Sequence, residues 1–134
     1  MLTGPNVILA LKIAVAAVTV ILLASLICAL RGRYRLHGRL NIVFFVLTLC
    51  AVLGLEAVIR FIDPNIFDYF TEDDRQRMTI HLCFSIPSTI LLPLMLITGL
   101  THRRWPHIVM GIAFLTCWAG TFYTGIFLLP HQAR

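Results

Sequence analysis

The chain has 134 residues, 59% of them hydrophobic and only 13% charged, with a formal net charge of +5 and a mean hydropathy of +0.89. A soluble domain carries roughly 25% charged and 45–50% apolar residues. That apolar excess is too large for one compact core of this length, so a soluble enzyme, a disulfide-stapled secreted domain and a disordered tail are excluded. The solvent for this chain is lipid.

Four stretches, 6–30, 40–62, 78–100 and 107–129, are apolar enough over sufficient length to be spanning helices, which need about 20 residues each. Only helices and closed barrels satisfy the backbone in lipid, and continuous apolar runs without alternation exclude the barrel. The expected fold is therefore all-α: a single polytopic membrane domain over residues 1–134, a four-transmembrane-helix antiparallel bundle. The first stretch reads as a retained helix rather than a signal peptide, since it lacks a basic leading region and is followed by RGRYR instead of a small-residue cleavage site. It carries a weak small-residue series at Ala10, Ala14 and Ala17.

The first connection holds Arg31, Arg33, Arg35 and Arg39, and the third holds Arg103 and Arg104. The positive-inside rule places both in the cytoplasm, so both termini are expected outside. This distribution marks topology, and no nucleic-acid partner is expected. All six acids, Glu56, Asp63, Asp68, Glu72, Asp73 and Asp74, lie within 19 residues around the second connection, which falls outside with the termini. There Asp63-Pro64 should stop helix 2, and Thr71 with Asp73 and Asp74 should start helix 3. Phe67, Tyr69 and Phe70 between them are expected to dip into the headgroup zone.

Helix 3 contains Pro87 and Pro93; each removes a backbone hydrogen bond, which predicts a kink with Ser85, Ser88 and Thr89 near the distorted backbone. On helix 4, Thr116, Gly120 and Thr124 recur at every fourth residue with Gly125 alongside, a stripe that lets another helix approach closely. The four cysteines, Cys28, Cys50, Cys83 and Cys117, fall one per helix and read as small buried filler. No low-complexity segment and no convincing internal repeat is visible.

Ionisable groups at membrane depth are functional hypotheses by default. Lys12 and Glu56 each lie about six residues inside the outer boundary, which at 1.5 Å per residue is about 9 Å deep, and Arg60 stands one turn from Glu56 in the favourable order. A Lys12–Glu56–Arg60 ion cluster that fixes helices 1 and 2 is expected, with proton carriage by Glu56 as the sharper alternative. The histidines fall in two layers: His37, His102 and His107 at the cytoplasmic ends, and His81 with His131 at the outer side. Imidazoles bind haem iron or copper or relay protons. His102 and His107 flank Pro106, so their directions are open. No zinc pattern, phosphate loop or nucleophile–base constellation is present, and no catalytic residue is assigned.

The run LHGRLN at 36–41, His81 opening helix 3, and HRRWPH at 102–107 before a helix with Trp118 and Thr124-Gly125 together resemble one family. This is the domain-of-unknown-function family numbered 420, small four-helix membrane proteins that include an assembly factor of bacterial cytochrome c oxidase. The resemblance spans Asn6 to Leu129. It matches His37, His81 and His107 to the family's histidines and Thr124-Gly125 to its terminal Thr-Gly. Arg103 and Arg104 precede His107, whereas the family's basic run follows its last histidine, so His102 is the alternative equivalent. Glu56 and Arg60 replace apolar or aromatic positions.

The resemblance implies a bacterial inner-membrane protein linked to haem–copper oxidase maturation, with the histidines as contacts for haem or copper. Because His81 is on the opposite side, only a pair such as His37 with His107 or His102 can share one site. A non-catalytic subunit of a larger membrane oxidoreductase, packed through the helix 4 stripe, is the second expectation. A small cytochrome-b-like electron carrier is the third; it requires two histidines facing each other at one depth on different helices.

Overall fold

The structure, a computed structural model, describes residues 3–130. Its elements are α1 (Gly4–Leu30), α2 (Tyr34–Ala57, continued by a π-helical turn at Val58–Ile62), α3 (Glu72–Leu100) and α4 (Arg104–Tyr123, continued by a π-helical turn at Thr124–Leu128). All four are long and apolar enough to cross a membrane, and no strand occurs among the described residues. His131 lies outside them.

The helices begin earlier than hydropathy alone sets them, because polar first turns extend beyond the apolar runs. At α3 the cause is a capping box: Thr71 Oγ1 accepts from the Asp74 amide at 3.2 Å, and Asp74 Oδ2 accepts from the Thr71 amide at 3.1 Å. Two orphan donors are thereby satisfied. Helix α2 starts at Tyr34 because α1 ends in a tight reversal. The Arg33 amide donates to Cys28 O at 2.8 Å and the Gly32 amide to Ala29 O at 3.1 Å, the pair of bonds of a Schellman motif. Gly32 supplies the left-handed residue this turn requires, at φ 72°.

The turn from α3 to α4 repeats that geometry. Arg103 donates to Thr98 O at 3.0 Å and His102 to Gly99 O at 3.2 Å, with His102 in the left-handed position at φ 53°. The equivalence continues along the helices. His37 Nδ1 meets Ser25 O, 12 residues earlier, at 2.9 Å, and His107 Nδ1 meets Met95 O, also 12 residues earlier, at 3.0 Å. Gly32 and His102, His37 and His107, and Phe44 and Phe114 are separated by one common interval. The bundle is thus two parallel copies of one helical hairpin, a repeat that direct reading of the sequence did not find.

The hairpins meet through aromatic rings. Phe44 and Phe114 are fully buried with centroids 5.9 Å apart, and Trp118 lies 5.0 Å from Phe44 and 5.7 Å from Phe114. Trp118 Nε1 donates to Thr19 Oγ1 on α1 at 3.1 Å. Val18, Leu22, Leu92 and Met95 pack with this cluster, and Ser25, Asn41, Thr48, Ser88, Thr121 and Thr124 are also inside, while Ile13, Val20, Leu53, Ile90 and Ile112 face outward. Lipid offers no hydrophobic gain for apolar burial, so small residues and interhelical hydrogen bonds hold the helices together.

Helix α3 is continuous through Pro87 and Pro93; Thr89 Oγ1 donates to Ser85 O at 2.8 Å, whereas Ser88 turns to Thr121 on α4 at 3.2 Å. In the second connection Ile66 and Phe70 are buried, because Phe70 packs edge-on to Tyr69 and Tyr69 closes over Gly4. These aromatics pack against the helix ends, with Phe67 and Tyr69 half-buried. The cysteines are not the buried filler expected. Cys50 and Cys83 are exposed on the lipid-facing surface and Cys28 and Cys117 only partly covered, since the interior positions go to hydrogen-bonding side chains.

Candidate functional site

The antiparallel arrangement sorts charge to two ends. The two tight turns and the helix turns beside them carry Arg31, Arg33, Arg35, Arg39, Arg103 and Arg104 without an acid, and the other end holds all six carboxylates. Histidines stand near both ends.

At the arginine end, His37 of α2 and His107 of α4 face each other with ring centroids 6.0 Å apart and planes at 78°. The tautomer of His37 follows from its neighbours. The Ser25 hydroxyl donates its single proton to Asn41 Oδ1 at 2.6 Å, so the 2.8 Å contact between Ser25 Oγ and His37 Nδ1 takes its proton from the ring. Nδ1–H is therefore shared between Ser25 Oγ and Ser25 O, and Nε2 accepts from Asn41 Nδ2 at 3.1 Å. Ser25, His37 and Asn41 close a ring of hydrogen bonds around a serine with no solvent exposure. His107 is set the same way, with Nδ1–H on Met95 O. Its Nε2 keeps a lone pair with no hydrogen-bond partner among the described residues. A main-chain carbonyl on Nδ1 is the usual second-shell device that fixes a ligating imidazole.

His102 does not join this pair. It is exposed in the α3–α4 turn, where its backbone conformation, not its ring, is in use. Among the candidates at this end, the structure brings together His37 and His107.

His81 lies near the acidic end, and Nδ1 is 2.8 Å from Thr124 Oγ1. The stripe on helix 4 packs inside the chain: Gly120 lies under the Phe84 ring and Gly125 under His81, and Thr124 is buried. Thr116 is exposed and returns its hydroxyl to Ile112 O at 2.9 Å. The stripe seats α3 of the same hairpin, so it is largely consumed before any partner arrives. The three intramembrane charges divide. Glu56 pairs with Arg60 on an outward face, with side chains 49% and 68% exposed, while Lys12 Nζ donates to Ile126 O at 2.7 Å. That carbonyl belongs to the terminal π-helical turn of α4, where a cation answers both an unpaired carbonyl and the negative helix end.

Lys12, Glu56 and His81 all border a cavity of about 460 Å³ between the two hairpins in the acidic-end half, with Thr48, Ser88 and Trp118 among its walls. Sequence reasoning missed Ser25, Asn41 and Thr48. Ser25 and Asn41 had a signal: each is a polar side chain within a helix of an apolar chain, and Asn41 stands one turn from His37 on the same face. The Met95 contribution is a carbonyl and leaves no trace in side-chain identity.

No group of three or more His, Cys, Asp or Glu side chains suited to a metal ion occurs among the described residues. No family model matches the chain, and no curated protein or solved structure does either.

Proposed function

We propose that this protein is a multi-pass component of the bacterial cytoplasmic membrane, with its termini outside. It serves as an accessory or assembly protein for a haem–copper oxidase or related respiratory metalloenzyme, and takes haem iron or copper between His37 and His107. The observation that supports this reading is the equivalence of the two imidazoles. Each belongs to the same position of a repeated hairpin, each has Nδ1 held by a carbonyl, and together they straddle the contact between α2 and α4.

The donor set fits two-histidine ligation and nothing richer. His37 and His107 would hold the ion through their Nε2 atoms, the two rings standing edge-on with centroids 6.0 Å apart. Binding requires the Asn41 amide to leave His37 Nε2, whereas His107 Nε2 needs no rearrangement. When bound, the metal would supply electron transfer or be delivered onward. The protein's part is to hold both rings in the Nε2-ligating tautomer and to keep them beneath an apolar layer.

Two further readings each rest on one observation. The closed Ser25–His37–Asn41 ring satisfies His37 fully without a metal, which suits a non-catalytic subunit of a larger membrane oxidoreductase complex. The facing of two histidines from different helices at one depth meets the requirement of a small cytochrome-b-like carrier. Protein purified in mild detergent from cells supplied with iron and copper separates the three. Stoichiometric copper or a Soret band, lost in His107→Ala, supports ligation, and a reversible haem redox spectrum selects the carrier. Absence of both metal and Soret band, with stable stoichiometric co-purification of a large complex, overturns ligation in favour of the subunit.

A further inference from the structure

Two side chains that border the cavity at the acidic end, Thr48 and His81, keep hydrogen-bonding capacity unused among the described residues, and their states are fixed by the groups around them. The first is Thr48. Helix threonines in this chain return their hydroxyls to the carbonyl one turn back, as Thr19, Thr89, Thr98, Thr121 and Thr124 do. Thr48 does not. It is 9% exposed and lines the cavity; its Oγ1 has no hydrogen-bond partner among the described residues and is itself covered, so a turn about χ1 is needed to present it to the cavity. Its level in the bundle follows from the aromatic layer: Thr48 is one turn beyond Phe44, Thr121 is one turn beyond Trp118, and Phe44 meets Trp118 edge-on. The neighbouring Ser88–Thr121 pair is closed, because Thr121 donates to Cys117 O at 2.9 Å and Ser88 therefore donates to Thr121.

The second position is His81 Nε2. Thr124 donates its proton to Gly120 O at 2.7 Å, so the proton in the His81–Thr124 contact comes from Nδ1. The neutral ring then presents Nε2 as an acceptor, and no described residue donates to it. Thr124 lies one turn beyond Thr121 on α4, so this acceptor stands about 5 Å farther along the bundle axis than the Thr48 hydroxyl.

The remaining walls are mostly aliphatic. Val52, Ile86 and Ile90 border the cavity and are 40%, 54% and 59% exposed, so it opens sideways between α2 and α3, toward acyl chains. Lys12 and Glu56 both stand at its rim, but each is already engaged, Lys12 with Ile126 O and Glu56 with Arg60, so neither is set aside for a charged headgroup. An occupant must therefore be soluble in lipid and uncharged, must donate one proton to His81, and must carry a second hydroxyl about one helix turn away.

We propose that this cavity binds a lipid-soluble hydroquinone. One ring hydroxyl donates to His81 Nε2, the other bonds the Thr48 hydroxyl once that side chain has turned about χ1 toward the cavity, the ring rests on Trp118, and the tail leaves between α2 and α3. The reduced form is preferred because the oxidised quinone has no proton to offer His81. This assignment is independent of the histidine pair at the arginine end.

The test uses the full chain in nanodiscs with Trp105→Phe, which leaves Trp118 as the single tryptophan. A decyl-tailed benzoquinol is titrated against Trp118 fluorescence, followed by its oxidised benzoquinone. Saturable binding is expected, with the quinone about fivefold weaker, the worth of one hydrogen bond. Thr48→Val should weaken quinol binding about fivefold while leaving thermal stability equal or higher, since it removes a hydroxyl that has no partner. The proposal is overturned by any of four results: no saturation, equal affinity for the two redox forms, unchanged binding by the valine variant, or displacement of quinol by equimolar dioctanoylglycerol.

Discussion

Substituting Gly120 with alanine should distinguish a packed α3–α4 hairpin from one that is merely apposed. A Cβ at this position would stand 2.5 Å from Phe84 Cγ and 2.7 Å from Phe84 Cε1. Carbon atoms in contact sit about 3.5–4.0 Å apart, so the overlap is about 1 Å and involves the base of the ring as well as its edge. Rotation of the ring alone does not clear it; either Phe84 swings toward lipid or the helices part. Overpacking of this kind costs about 1–3 kcal/mol. The same substitution improves intrinsic helix propensity by up to about 1 kcal/mol, so a net loss of about 1–2 kcal/mol is expected. Reversible unfolding in mixed micelles measures it. Phe84→Ala made together with Gly120→Ala should recover most of the alanine penalty relative to Phe84→Ala alone, because residues in direct contact are non-additive. If the two losses simply add, the ring is not what the glycine accommodates, and the packing account fails.

Four further substitutions have outcomes that follow from other parts of the structure. Ser25→Ala leaves the buried Asn41 Oδ1 without its donor and should cost about 1 kcal/mol in the same unfolding assay, within the range for membrane hydrogen bonds; a neutral effect would show that the Ser25–His37–Asn41 ring is not closed. His102→Gly should stabilise by about 1 kcal/mol, since a left-handed residue without a Cβ is relieved of strain, and Gly32→Ala at the equivalent turn should destabilise by a similar amount. Burial and, secondarily, the nearby Asp74 raise the Tyr69 phenol above its ordinary 10.0. Its contribution to stability is therefore complete below pH 10 and is lost as pH rises through the higher folded value. Tyr69→Phe should flatten that alkaline decline and leave neutral-pH stability equal or improved, as the Tyr69 hydroxyl has no hydrogen-bond partner among the described residues.

The four helices were legible because lipid imposes length and composition on any spanning segment, and the α3 start was legible because Thr71 and Asp74 are a local signal. The repeated hairpin was not. His37 and His107 are identical, but Gly32 is matched by His102 and Ser25 by Met95. The shared feature at those positions is a backbone conformation or a carbonyl, which many side chains allow. Charge placement was legible only as far as the ends. Lys12 sits at the depth expected for a partner of Glu56, yet it donates to Ile126 O, because the terminal turn of α4 exposes a carbonyl that no sequence pattern announces. Glu56 pairs instead along its own helix, where Arg60 is one turn away. Thr48 was invisible for a simpler reason: threonine in a helix normally satisfies itself, and only coordinates reveal one that does not.

The aromatic layer of Phe44, Phe114 and Trp118 has a consequence for permeation. On one side lie the ring of Ser25, His37 and Asn41 with His107; on the other lies the cavity with Thr48 and His81. Between them Phe44 and Phe114 are without exposure, and the indole nitrogen is already committed to Thr19. Neither a water file nor a proton relay has a foothold across that level. The protein therefore keeps the histidine pair and the cavity apart, on opposite sides of one packed aromatic level.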